Sequence, residues 1–194
     1  MPAVARAVVT SAPYEFVARR VLLPWALQGH QPSGEGLEIG AGGGSMTARL
    51  LTEYPRLRMV ATDYDPEMVG AAGRSLARLG DRVSVEQADA GSLPFTAGRF
   101  DFVLSAAMLH HVVAWERALA EAVRVLRPGG RLIGYDVQDT APVRWMHATE
   151  HDADVRMLRA GQLEAELARL GVTDVRVRTG VLGLVMRFDA GMPT

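Results

Sequence analysis

The 194 residues, 48% hydrophobic and 22% charged, have the balance of one globular domain of ordinary size, long enough to bury a core without disulfide or metal staples. Net charge is -1, and the 21 basic residues, all arginine, are scattered among 22 acidic ones, so nucleic acid is not an implied partner. Cysteine is absent, which excludes disulfides, thiolate nucleophiles and zinc-thiolate sites, and no apolar run approaches the roughly 18 residues of a membrane span, so neither a membrane nor a resident metal is expected.

The opening residues hold too short an apolar segment, with acidic Glu15 soon after it, to read as a secretory leader, and the cytoplasm is the expected compartment. A helix is predicted from Ala12 or Pro13 to about Leu23, with Tyr14, Val17 and Val21 at helical spacing and Pro24 ending it. The polar loop HQPSGEG then separates a helical lid, residues 1–35, from a core, residues 36–136. In that core short apolar runs alternate with helical ones. Strands are predicted over Gly36–Ile39, Met59–Thr62, Val83–Glu86, Phe100–Ser105 and Arg131–Tyr135. Helices are predicted over Ser45–Glu53, Pro66–Leu79 and Ala114–Val125, the second opened by an Asp65 cap and a proline, the third stopped by RPGG at Arg127–Gly130.

Residues 137–160 are polar and mixed, with Trp145 and Met146 as isolated apolar anchors, and are expected to be irregular. A helix follows at Gln162–Leu170. Val175 and Val177 alternate with Arg176 and Arg178, the chain turns at Thr179-Gly180 and returns through Leu182 to Phe188, which is an antiparallel hairpin. The expected fold is α/β, a doubly wound, mostly parallel seven-stranded sheet with that C-terminal antiparallel hairpin.

The first strand-to-helix loop of such a sheet lines the ligand crevice. Here it is LEIGAGGGSMTARL, with four glycines in the five positions Gly40–Gly44. Counting from Gly40 or from Gly42, the third glycine of a dinucleotide fingerprint falls on Ser45 or Thr47, and the lysine of a P-loop is missing from the whole chain. What remains is E-x-G-x-G-x-G, with Glu38 ahead of Gly40, Gly42 and Gly44. An acid in the crevice repels a diphosphate and favours an ammonium group. Asp63, at the end of the second strand, is placed to accept from both hydroxyls of a ribose, and Asp89, beside the backbone of Ala90, from the exocyclic amine of adenine. A cation, a ribose and an adenine together describe S-adenosyl-L-methionine.

The motifs LEIGAGGG, VATDYDPEM, VEQADAGSLPF, RFDFVLSAAMLHHV and RVLRPGGRLIG, in that order from Gly36 to Asp136, resemble those of small class I S-adenosylmethionine-dependent methyltransferases, similar to the methyltransferases of quinone biosynthesis. The resemblance implies that Glu38 and Gly40 meet the methionine end of the cofactor, Asp63 the ribose, Tyr64 and Met68 the adenine face and Asp89 its amine, with Ser105 and Ala106 near the sulfonium. Simpler roles compete: Asp65 reads as a helix cap, Met68 as core, and Asp89 as the cap of a loop turn.

Methyl transfer asks the protein to hold a nucleophile in line and to remove its proton where it carries one. His110 and His111 are the candidates near the fourth strand, one expected to face the ligand and one to face away, with His110 the ligand-facing residue and candidate base. HATEH, His147 to His151, has the H-x-x-E-H spacing of inverted zinc proteases, but it follows an adenine-binding pattern and lacks helical periodicity. Residues 137–194 are instead expected to supply an acceptor-side insertion, a helix and the closing hairpin, with Arg144, Trp145, Arg156 and Arg159 as candidate substrate contacts. A methyltransferase acting on a small molecule is the expected function, its site open or completed by a second copy in a homodimer. A non-catalytic cofactor-binding module and an NAD(P)-dependent oxidoreductase are the rival readings.

Overall fold

The computed structural model describes residues 16–147 and 155–194, so Tyr14 and the Glu150 and His151 of HATEH lie outside the described residues. The strands are β1 (Glu35–Ile39), β2 (Arg58–Asp63), β3 (Val83–Gln87), β4 (Phe100–Ala106), β5 (Leu126–Val137), β6 (Thr173–Gly180) and β7 (Val185–Gly191). They form one seven-stranded sheet in the order β3-β2-β1-β4-β5-β7-β6. The first five are parallel, and β7 runs antiparallel between β5 and β6, as the alternation predicted. Strand order reverses between β1 and β4, which puts the ligand crevice beyond the carboxyl ends of those two strands.

Helices cover both faces: α1 (Leu23–Leu27), α2 (Ser45–Glu53), α3 (Pro66–Leu76), α4 (Trp115–Arg124), α5 (Ala141–His147) and α6 (Ala160–Arg169). Successive residues of β4 divide between the layers. Val103 joins Leu37, Ile39, Leu119, Leu163 and Phe188 on one face, while Phe102 and Leu104 join Leu23, Leu27, Leu50 and Tyr135 on the other. This period of two over continuously apolar strands is what a sheet buried on both faces requires.

Four local expectations are corrected. Pro24 does not end a helix: it lies within a continuous helical run, residues 16–27, where the π-helical turn Ala18–Leu22 precedes it and the Leu23 N–H reaches back to the Ala18 carbonyl. The helix ends at Gln28, with a left-handed φ of 52°. The RPGG segment is not a stop before the fifth strand but a bulge within β5, since Phe100 pairs with Leu126 and Phe102 with Arg131. Residues 141–147, expected to be irregular, form α5. The hairpin turns through a 3-10 turn at Val181–Gly183, beyond Thr179-Gly180, with Val181 and Leu182 both at positive φ.

The segment expected as a lid is packed onto the sheet from Ala18 onward. Leu23, Ala26 and Leu27 are buried with Met46 and Tyr135, and the Trp25 carbonyl accepts from Arg187 at 2.8 Å. No helix among the described residues is long and apolar enough to cross a membrane.

Candidate functional site

The β1–α2 loop is shaped by what surrounds each glycine. Gly40 has φ +68°, and a Cβ built on it would overlap the Met108 side chain, which covers the loop from the chain that follows β4. Gly42 has φ +54°, and among the described residues, chain neighbours aside, neither it nor Gly43 has an atom within 4 Å of where a Cβ would stand. The loop is therefore tight at its start and open in its middle. Gly44 caps α2 without a side chain, and Glu38 supplies the missing acceptor from below. Its Oε2 accepts from the Thr47 N–H at 3.0 Å and from the Thr47 hydroxyl. Glu38 is 1% exposed, its carboxyl lying beneath the helix terminus. Burial is the main cause of its high pKa, pushed up to about 7 against the partial relief given by Thr47.

Asp63 ends β2 facing this loop. Its Oδ2 accepts the Gly42 N–H at 2.8 Å and its Oδ1 the Asp65 N–H at 2.9 Å. Burial raises its pKa, and these two hydrogen bonds oppose the rise. Each carboxylate oxygen keeps a second lone pair, so the pair of diol hydroxyls assigned to it has acceptors available. Tyr64 beside it is 75% exposed, whereas Met68 is 5% exposed on the first turns of α3, so its core reading is the one the packing favours. Asp65 caps α3 through the Glu67 N–H at 2.9 Å. Asp89 is exposed and holds its own loop, its Oδ1 accepting from Gly91 N–H at 2.8 Å, while Ala90 packs against the core.

At the end of β4, Ser105 is 1% exposed and its Oγ has no hydrogen-bond partner among the described residues; Ala106 beside it packs against the cluster of Phe102 and Leu104. The open cradle at Gly42 and Gly43, the spare lone pairs of Asp63 and the unpaired Ser105 hydroxyl fit a ligand with a carboxylate, a diol and a further polar group.

Beyond Ala107, whose φ is +51°, the chain makes a 3-10 turn, Leu109–His111. Here the structure adds a residue that the sequence reading missed. Asp136, fully buried near the end of β5, has its Oδ1 2.5 Å from His110 Nδ1 and accepts the Leu109 N–H at 2.8 Å on Oδ2. Its signal was positional: β1, β2 and β5 each carry an acid at or near the carboxyl end, and only the first two had been read as site residues. His110 and His111 do not face opposite ways, because the tight turn brings their ring centroids to 3.9 Å. His147 from α5 lies 5.3 Å from the His110 ring. Burial, then the neighbouring His110, lowers the His111 pKa to about 3.

The proposed substrate-contacting arginines are already paired. Arg144 and Arg159 both bind Asp139, and Arg156 binds Glu116 at 2.7 Å while lying over the Trp115 ring. Trp145 is 81% exposed. Among the described residues no group of His, Asp or Glu is arranged to hold a metal ion.

Comparison with known proteins bears on the family and the fold. A family model described as a methyltransferase domain matches residues 37–134. Demethylmenaquinone methyltransferase of Thermus thermophilus is 37% identical over 97 residues, 50% of this chain and 44% of that protein. Malonyl-acyl-carrier-protein O-methyltransferase of Geobacter sulfurreducens is 30% identical over 172 residues, 83% of this chain and 63% of that protein. The chain spans about half the length of the curated relatives it matches. A solved SAM-dependent methyltransferase from Aquifex aeolicus shares the fold, with a TM-score of 0.76 at 18% identity over 99% of both chains.

Proposed function

We propose, from the premise that this chain belongs to the class I S-adenosylmethionine-dependent methyltransferase family, that it transfers the cofactor's methyl group to a small-molecule acceptor at the carboxyl ends of β4 and β5. The observation that carries the reading is the open backbone at Gly42 and Gly43 facing Asp63: the left-handed φ of Gly42 favours glycine on its own account, but clear space over both residues, among the described ones, also admits a ligand to the main chain. S-adenosylmethionine supplies an activated methyl group on a sulfonium. Gly42 and Gly43 admit its amino-acid end to the main chain, and Asp63 accepts from its ribose. Glu38 acts one layer further back, fixing the start of α2 through Thr47. Asp89 receives the adenine amine on the oxygen that its own turn leaves free. Ser105 and Ala106 border the reacting centre, and the turn carrying His110 bounds the acceptor.

The relatives named as quinone and acyl-carrier-protein methyltransferases act on small or carrier-borne organic molecules, which supports an organic acceptor here. Positioning supplies most of the rate in such a reaction, since the electrophile arrives activated.

Thermal unfolding tests the reading. At a hundredfold excess over its dissociation constant, S-adenosylhomocysteine adds about 2.7 kcal/mol, a rise of roughly 5–10 °C for a domain of this size. The rise is expected with S-adenosylhomocysteine and S-adenosylmethionine and not with NAD, and is expected to shrink in Asp63→Ala. A rise with NAD alone overturns it.

A further inference from the structure

Resting on that reading, one feature of the acceptor end has no role in holding the cofactor. Asp136 is fully buried, its Oδ1 accepts the Val137 N–H at 2.7 Å and its Oδ2 the Leu109 N–H at 2.8 Å, and His110 Nδ1 lies 2.5 Å away. A carboxylate at that distance fixes Nδ1 as the protonated nitrogen and leaves the lone pair on Nε2. The two backbone donors lock the carboxylate itself, so the imidazole is held by a partner that does not move. His110 is 3% exposed, its backbone carbonyl is tied to the Arg156 N–H at 2.9 Å, and the His111 and His147 rings stand against it. A ring this fixed, in one tautomer, at the end of β4 is more than core filling requires.

We infer that His110 and Asp136 form a proton-accepting dyad, and that the methyl acceptor is a phenol-class hydroxyl. The argument is one of chemical need. An aryl amine attacks through a lone pair it already holds and loses its proton afterwards to water, while an alkyl ammonium has no lone pair at neutral pH and would enter as a second cation beside the sulfonium. A thiol, with an ordinary pKa of about 8.5, ionises close to neutral pH, whereas a phenol at about 10 stays protonated and needs a base within hydrogen-bond reach. In the step itself the O–H bond breaks and its proton goes to His110 Nε2. The electron pair stays on oxygen, which forms the new bond to the methyl carbon as the carbon–sulfur bond breaks with its pair left on sulfur. His110 is the catalytic residue and Asp136 the positioning residue. His111, kept neutral by burial, places no second positive charge beside the imidazolium that forms.

The test uses 4-nitrophenol, whose phenolate absorbs at longer wavelength than the neutral form, added to the full chain with S-adenosylhomocysteine at a pH below the phenol's own pKa. Wild type is expected to bind it with the phenolate spectrum, and His110→Gln is expected to abolish that spectrum. Asp136→Asn is expected to weaken it at least tenfold and to move the imidazole proton from Nδ1 to Nε2 in nitrogen NMR. Should Asp136→Asn fail to fold, His110→Gln and the wild-type nitrogen spectrum still decide. No phenolate signal in wild type, or an unchanged signal in His110→Gln, overturns the dyad. Failure of S-adenosylhomocysteine to raise the wild-type unfolding temperature instead overturns the methyltransferase reading, so the two failures are told apart.

Discussion

Two glycines of one loop respond to substitution in different ways. At Gly40 both the positive φ and the Met108 side chain stand against a methyl group. Gly40→Ala is expected to lose about 2–4 kcal/mol, roughly 1 from backbone strain and 1–3 from overpacking, measured by urea unfolding. Adding Met108→Ala to Gly40→Ala is expected to return the overpacking part and leave the strain. At Gly42 only the backbone term applies, because the space over it is open. Gly42→Ala is expected to fold with a loss of about 1 kcal/mol yet to bind S-adenosylhomocysteine at least tenfold more weakly by calorimetry, since the added methyl stands where the ligand lies. The glycines, Asp63 and the Asp65 cap were readable because they act within a few residues of a strand end. Asp136 was not, because its meaning depends on His110, 26 positions earlier and on another strand's loop. Spacing along the chain does not report that pairing.

Helix α2 starts without a capping side chain of its own, and the acceptor it lacks arrives from the neighbouring strand as Glu38. Sequence spacing placed an acid before the loop but not beneath the helix, because nothing local distinguishes an acid that faces a ligand from one that faces Thr47. Its pKa, raised from 4.5 to about 7, has a definite sign for stability. Between those values the folded chain binds the proton more tightly than the unfolded one, so this group makes stability fall as pH rises through the window. Glu38→Gln removes the titration, and denaturant unfolding across pH 4.5–7 is expected to lose that downward slope. At pH 8 the term amounts to roughly 3 kcal/mol at about 1.4 kcal/mol per unit. The regular helices of the core were legible from period and caps. α5 was not: it has seven residues, and Trp145 on it is left in solvent, so no apolar stripe announced it.

Across the whole molecule, Glu38 and His111, the two most displaced groups among the described residues, oppose each other. His111 titrates near 3, below its ordinary 6.5, so the unfolded chain binds the proton more tightly between those values and stability falls as pH falls through them. His111→Gln is expected to flatten the acid limb of the stability curve without altering its neutral limb, read by the same unfolding series. The parallel core and the antiparallel hairpin followed from alternation, but the docking of the first helix did not, since its polar partners come from the far end of the chain. His30 reaches Asp189 at 3.1 Å, Arg187 reaches the Trp25 carbonyl, and Arg131 in β5 shares Asp189. During synthesis this has an order in time. A chain emerging from the ribosome carries α2 and the five parallel strands, which bury the apolar face of the first helix, before β7 exists, so that helix can dock early and only its polar ties to Arg187 and Asp189 wait for the last strand. On this ordering, amides of residues 23–28 are expected to gain hydrogen-exchange protection with the parallel strands in pulse-labelled refolding, before those of β7. A nascent chain halted before residue 185 is the species a chaperone would meet.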